Sequence, residues 1–308
     1  MDVTEVIYTP IQNPATRIAA LLSGEVDFIQ DVPVQDLARV ADADGLDVRT
    51  APQNRVIFFG MNVGDADLTS DSVEGANPLS DLKVRQAMSM AINRDAIQQV
   101  VMRGQSEPAG MISPPFVNGW DADMDASSMT DVEKAKELMA EAGYGDGFSI
   151  TLNCPNDRYI NDEAICQSAV GMLGQIGIKV NLDAKPKAQH FPLLSNYETD
   201  FYMLGWGVPT YDSEYIFNFL FHSRDDKYGS WNATRFSDAD LDAKIEALAS
   251  ETDLPKRDAS IAEIWAEVQE KALYIPIHHQ VLNWGLKSNI DTIVAPDDAA
   301  KFKYFSLK

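Results

Sequence analysis

Asp212 and Glu214 stand close together in the segment after Gly205-Trp206-Gly207. Two carboxylates beside an aromatic ring are what glycoside hydrolysis uses, one as acid and the other as nucleophile or base. On that reading the chain is a carboxylate-dependent hydrolase. With 47 acidic residues in the chain, such a pair also arises on an ordinary solvated loop. A third reading makes the segment a ligand surface. Trp206 and Tyr211 offer flat apolar faces, and Asp212 offers an anion for a cationic group. Asn156, Asp157, Arg158, Tyr159 and Asn161 crowd a second segment, the turn between a strand and its helix. In open α/β sheets, ligands sit beyond the carboxyl ends of strands, where this turn lies. Arg158 suits a carboxylate held bidentately, and Asn156 suits a hydrogen bond. The plain alternative for Arg158 is a surface ion pair with Asp162.

Cys154 and Cys166 flank that same turn. In an oxidising compartment a disulfide pins the helix to the strand end, provided the Cα atoms approach within about 6 Å. Otherwise they are two buried thiols. His278 and His279 are neighbours in a strand, so they point to opposite faces and do not chelate one ion together. Gly143, Gly145 and Gly147 follow a helix and precede a strand, the reverse of the order a dinucleotide loop requires. There is no HExxH, GxSxG or P-loop pattern. No cofactor is expected.

Alternating strands and helices must position these residues, which argues for α/β layering. Val3 to Tyr8 reads as a strand. Asn13-Pro14 then opens a helix that Gly24 stops, and Val26 to Ile29 is a short strand. Val56 to Met61 is a buried strand, and the polar stretch Asp65 to Asn77 is a loop. One continuous helix is expected over Leu82 to Met102, and a long surface loop over Gln105 to Asp125. Thr130 to Glu133 reads as a capping box for the next helix. Phe148 to Asn153, Glu163 to Ile176 and Ile178 to Leu182 form a strand–helix–strand unit with a parallel crossover. Asp200 to Trp206 is a further strand, followed by a loop from Gly207 to Tyr215. Ser237 and Asp240 cap one helix, Pro255 begins another, and Tyr274 to Ile277 and Val281 to Leu286 read as two last strands.

Lys plus Arg number 25 against 47 acids, a net charge of −22 in 308 residues. Such a chain repels nucleic acid and anionic lipid, so neither is expected as a partner. Its acidity suits a salty habitat or an exported protein that must stay soluble. No stretch approaches the roughly 18 apolar residues that cross a membrane. The opening Met1 to Glu5 has neither basic cluster nor apolar core, so it is not a signal peptide.

Several segments together resemble one family. They are Asn13-Pro14-Ala15-Thr16-Arg17 through Gly24-Glu25-Val26-Asp27, then Pro78-Leu79-Ser80-Asp81 through Arg85-Gln86-Ala87 with Ala91-Ile92-Asn93-Arg94. Lys134 to Tyr144, Gln175-Ile176-Gly177-Ile178-Lys179-Val180 and Leu204-Gly205-Trp206 follow in order. This is similar to the family-5 extracellular solute-binding proteins of ABC importers, the dipeptide and oligopeptide type. The resemblance implies a periplasmic binding protein-like (type II) α/β lobe, a mixed sheet flanked by helices, with fragments of a second lobe. It implies residues 1–59 as part of the first lobe and hinge, 60–277 as the C-terminal ligand-binding lobe, and 278–308 as the return segment. The chain would correspond to roughly the C-terminal three fifths of a member, with the secretion signal in the remainder. The implied function is a periplasmic, non-enzymatic, monomeric subunit that closes around a peptide or similar small solute and passes it to membrane permeases. In dipeptide binders of this family, an Asp just after the Gly-Trp element anchors an amino group, and an Arg at a strand end holds a carboxylate. Pro209 and Cys154 occupy those positions here, with Asp212 and Arg158 nearby as substitutes. The implied ligand contacts are Trp206, Tyr211, Asp212, Arg158 and Asn156.

Overall fold

The computed structural model describes residues 3–64, 67–68, 75–126 and 129–308. Asn13 opens α1 (Pro14–Leu22) by accepting a hydrogen bond from the Thr16 amide, with Pro14 in the first turn. β1 (Phe28–Ile29), α2 (Leu37–Ala41) and the long β2 (Leu46–Met61) follow. Next come α3 (Leu82–Ala91), α4 (Arg94–Ala96) running into a π turn over Ile97–Val101, β3 (Ser106–Pro108) and α5 (Ala122–Ala126). The middle of the chain holds α6 (Val132–Glu141), β4 (Ser149–Pro155), α7 (Asp162–Gly174), β5 (Lys179–Lys185), α8 (Lys187–Ser195) and β6 (Phe201–Gly207). It closes with α9 (Ser213–Ile216) and its π turn Phe217–Phe221, α10 (Ala239–Leu248), α11 (Leu254–Lys271), β7 (Tyr274–Lys287) and the small pair β8 (Ile290–Asp291) and β9 (Ser306–Leu307).

One mixed sheet orders its strands β1-β7-β2-β6-β4-β5, with β3 added to β7. β4 runs parallel to both β5 and β6, as the strand–helix–strand reading requires. β2 runs antiparallel to β6 and β7. Side chains alternate strictly across the sheet. Ile57, Phe59 and Met61 of β2 and Phe201 and Met203 of β6 enter one core with α3, α6 and α7. Phe58, Tyr202, Leu204 and Trp206 enter the opposite core, with the aromatic π turn after α9 and with α10 and α11. Each fully buried large side chain contributes about 1.5–3 kcal/mol, and a one-residue slip would exchange the two faces, so burial fixes the register. Two smaller cores lie apart: Ile18 to Val40 around α1 and α2, and Leu282, Trp284 and Val294 near the end.

Several expectations need correction. Val3 to Tyr8 forms no strand, and Ile7 and Tyr8 are exposed. The helix expected over Leu82 to Met102 breaks at Ile92, because Asn93 starts a new cap by accepting from the Ala96 amide. Arg94 then buries its guanidinium against the carbonyls of Ala109 and Pro276, at 3.1 and 2.7 Å. Gln105 to Asp125 is no surface loop. Ala109, Met111, Ile112 and Val117 are buried, and Asp125 ties the segment down by accepting from the amides of Gly110 and Met111. Asp131, not Thr130, caps α6, and Asp238, not Ser237 or Asp240, caps α10. The two last strands are one continuous β7. Most of the Asp65 to Asn77 stretch lies outside the described residues. No described helix is long and apolar enough to cross a membrane.

Candidate binding pocket

β2, β4 and β6 bring their ends to a hollow of about 440 Å³. Arg55 of β2, Arg158 and Tyr159 of the turn after β4, Trp206 of β6, and Tyr215 and Trp231 line it. Asp162 shapes the turn, its Oδ2 accepting from the amides of Arg158 and Tyr159 at 2.9 Å each. The Gly205 amide donates to the Tyr159 hydroxyl at 2.8 Å, which fixes the ring across β6. Only glycine permits that approach: a Cβ on Gly205 would lie 2.7 Å from the Tyr159 ring. Cys154 and Cys166 form a disulfide, with their Cα atoms 6.6 Å apart. The bond ties the end of β4 to α7, on either side of the turn.

The electrostatics of the pocket are cationic at one end. The Arg158 guanidinium lies 5.1 Å and that of Arg55 5.9 Å from the centroid of the same Tyr159 ring, within cation–π range. Burial, and then the Arg158 charge, push the Arg55 pKa below its ordinary value. Asp162 spends its carboxylate on backbone amides, so the expected Arg158–Asp162 side-chain ion pair does not form. At the other end, Trp206 packs against Tyr215, Phe219 and Trp231 with ring centroids 5.7–5.9 Å apart. Its buried Nε1 has no hydrogen-bond partner.

Of the residues singled out from the sequence, Trp206, Arg158 and its neighbour Tyr159 share the hollow. Tyr211, Asp212 and Asn156 are not among its lining residues. Tyr211 is exposed and packs on Phe116, and Asn156 is exposed with its amide on the Lys185 carbonyl. Asp212 caps α9 and receives two hydrogen bonds from Arg257, at 2.7 and 2.8 Å. Arg257 also binds Glu214, at 2.7 Å. This corrects the hydrolase reading, which needs one carboxyl with a raised pKa. Burial works against the Asp212 carboxylate, yet its bonds from Arg257, the Glu214 amide and Asn118 hold its pKa below the usual value. Pro209, at the family's amino-anchor position, does line the hollow.

Tyr159 stands in the turn singled out from the sequence, whereas Arg55, Tyr215 and Trp231 are additions made by the structure. For Arg55 a signal existed: a cation directly before the apolar run Val56 to Met61 is costly there unless it has a task. Tyr215 closes the segment after Trp206 and Trp231 comes from further along the chain, and no periodicity announces that either ring faces the pocket. His279 binds Asp125 at 2.8 Å, away from the hollow. Among the described residues no three His, Cys, Asp or Glu side chains gather as a metal site.

A mixed sheet whose strand ends open onto one concave, aromatic and cationic pocket is the architecture of a periplasmic binding protein lobe. The chain belongs to the bacterial extracellular solute-binding proteins, family 5, whose "family 5 Middle" description matches residues 2–228. The glutathione-binding protein GsiB of Salmonella paratyphi A is 26% identical over 309 residues, spanning 98% of this chain and 58% of that protein. Among solved structures, the binding protein AgaA of A. tumefaciens R10, in complex with agropinic acid, superposes with a TM-score of 0.81 at 22% identity. It matches 97% of this chain and 59% of its own length. DppA of Helicobacter pylori, in complex with the peptide STSA, gives a TM-score of 0.82 at 18% identity, over 96% of this chain and 56% of its own. These two likenesses concern the fold. The chain thus spans somewhat more than half the length of such relatives.

Proposed function

We propose that this chain is the larger part of an extracytoplasmic, non-catalytic solute-binding subunit of an ABC importer, taking a peptide or similar small solute for delivery to membrane permeases. The observation that carries the reading is the pocket: aromatic rings around Trp206 beside cationic groups, on a lobe of this family. The glutathione-binding relatives make an acidic peptide a fitting solute. Binding works by closure. Solute favours the closed state only through contacts it makes to both lobes. We place residues 1–59 in the first lobe and hinge, 60–277 in the ligand lobe and 278–308 in the return segment. Supporting that division, the two large cores draw their buried residues from Ile57 to Ile277, and the two small ones from outside that span. A monomer is proposed. Of the earlier contacts, Trp206 and Arg158 are retained in the pocket. Tyr211, Asp212 and Asn156 are retained only as rim positions that a second lobe would have to meet.

The test is a thermal-shift screen of the complete gene product against peptides, amino acid derivatives, sugars and metal chelates. A solute at 100 times its dissociation constant should add about 2.7 kcal/mol. Trp206→Ala should abolish the shift while the unliganded protein still melts cooperatively. Covalent conversion of the bound solute, or no shift with any member of the panel, overturns the reading.

A further inference from the structure

We propose that Asp298 and Asp31 form a proton-operated latch on one wall of the hollow: holding a proton, the pair lets the segment Ala295 to Asp298 dock against β1 and β7, and fully ionised it loosens that segment. The latch stands on the packing of this segment, and only its effect on affinity rests on the solute-binding reading above.

Pro296 and Asp297 line the hollow, and the Pro296 carbonyl accepts from the Asn54 amide of β2 at 2.7 Å. Asp298 ties this wall to the sheet. Its carbonyl accepts from the Gln30 side-chain amide at 2.6 Å. Its Oδ1 accepts from the Trp284 indole at 3.0 Å and from Gln30 again at 3.3 Å. Trp284 is fully buried, with the Phe28 ring edge-on to it, so that donor cannot turn away to water. Asp298 has a left-handed backbone, with φ 59°, which a side chain other than glycine keeps only where its surroundings hold it. Docking of the segment therefore depends on one half-buried carboxyl group.

The charges around that carboxyl do not neutralise it. Asp31, which follows β1 and is half-buried as well, faces it with a like charge. Arg55 of β2 acts on both acids, and Arg17 of α1 and Arg158 act on Asp31, yet among the described residues neither carboxylate forms an ion pair. Asp297, beside it, is spent on Lys301 at 2.9 Å. Burial and then the Asp31 charge raise the Asp298 pKa to about 6, against 3.8 for an ordinary aspartate, and the bonds from Trp284 and Gln30 and the charge of Arg55 offset only part of that. Burial raises the Asp31 pKa too, with the three arginines working against it. The docked segment thus holds its proton more tightly than a segment set free in water. Linkage gives the sign: docking is fully favoured below the free value of 3.8 and loses that advantage as pH rises through about 6. Between about pH 5 and pH 7 the docking equilibrium should fall about tenfold.

The experiment is amide hydrogen exchange on the complete gene product from about pH 4.5 to 7.5, corrected for intrinsic rates. The Asn54 amide reports directly, since its bond goes to the Pro296 carbonyl. Its protection should fall about tenfold between about pH 5 and pH 7, with a midpoint near 6. Asp298→Asn keeps the acceptor for Trp284 and Gln30 but cannot ionise, and should hold the acid-side protection at every pH. Asp31→Asn removes the like charge and should move the midpoint down, a second check if Asp298→Asn fails to fold. A solute found by the thermal-shift screen should bind more tightly at about pH 5 than at pH 7, by up to the same factor, and Asp298→Asn should abolish that difference. Protection without a step, a step that survives Asp298→Asn, or a midpoint unmoved by Asp31→Asn overturns the latch. An affinity that ignores pH while protection steps overturns its hold on the hollow. A panel with no binder overturns the solute-binding reading and leaves the exchange result to judge the latch.

Discussion

Asp212, Arg257 and Glu214 join the start of α9 to α11 through three charge-assisted hydrogen bonds of 2.7–2.8 Å. Their side chains are 14–27% exposed, between the surface and the interior. Exposed pairs are worth about 0–1 kcal/mol, whereas removing one member of a buried pair costs about 3–5 kcal/mol. Arg257→Leu should therefore destabilise by about 2 kcal/mol at pH 7, measured by urea denaturation. The pH dependence follows from Asp212, whose folded pKa lies below its unfolded value. Its stabilisation is fully present above the unfolded value of about 4 and is lost as pH falls through the folded one. The difference between wild type and Arg257→Leu should accordingly shrink below about pH 4. A difference that stays constant down to pH 2 refutes the assignment of this trio as a structural clamp. The residue types were legible in the sequence, but their partner was not. Asp212 and Arg257 are far apart along the chain, and only the packing of α9 against α11 brings them together. Arg158 and Trp206 could be chosen from the sequence because each sits at a strand end, where an open sheet exposes its ligand surface.

The turn from Asn156 to Asn161 brings Arg158 and Tyr159 to the hollow, and the elements on either side of it are joined by Cys154–Cys166. Closing a loop of this size restricts the unfolded chain by about 3 kcal/mol in the chain-entropy account. Replacing both cysteines by alanine should lower stability by about 2–3 kcal/mol and weaken solute binding through a looser Arg158–Tyr159 turn. Thiol titration of the unfolded, unreduced protein should find no free sulfhydryl, and finding two would remove the bond from the account. Elements with one clear period were readable beforehand: β4, α7, β5 and β6 lie within a few residues of their expected bounds. The failures share a cause in tertiary contacts. Apolar periodicity runs straight through Ile92 and Asn93, yet Asn93 caps the next turn and Arg94 needs the carbonyls of Ala109 and Pro276. α8 holds Pro192 inside it, which hides its helical pattern. β7 reads as two strands because His278, His279 and Gln280 interrupt the apolar run, although all three are buried. The most characteristic stretch of the family resemblance, Pro78 to Arg94, thus contains caps and carbonyl clamps of the scaffold instead of ligand contacts.

At the scale of the whole molecule, a formal charge of −22 is spread over 14313 Å² of accessible surface. Dividing the area by the 22 net charges gives about 650 Å² each, a mean spacing of roughly 25 Å. The Debye length is about 30 Å at 0.01 M salt and about 8 Å at 0.15 M. Neighbouring net charges therefore repel at low salt and are largely screened at physiological salt. Unfolding separates them, so repulsion weighs against the folded state. Raising NaCl from 0.01 to 0.15 M at pH 7 should stabilise the fold by roughly 1 kcal/mol, a rise of about 2–4 °C in Tm by calorimetry. The same salt step near the sequence pI of about 4.4 should change Tm far less, because the net charge has then been neutralised. The surface clamps pull the other way. Pairs such as Lys244 with Glu263 and Glu267 are weakened by salt. A Tm that falls with salt at pH 7 would mean that these local pairs outweigh the global repulsion.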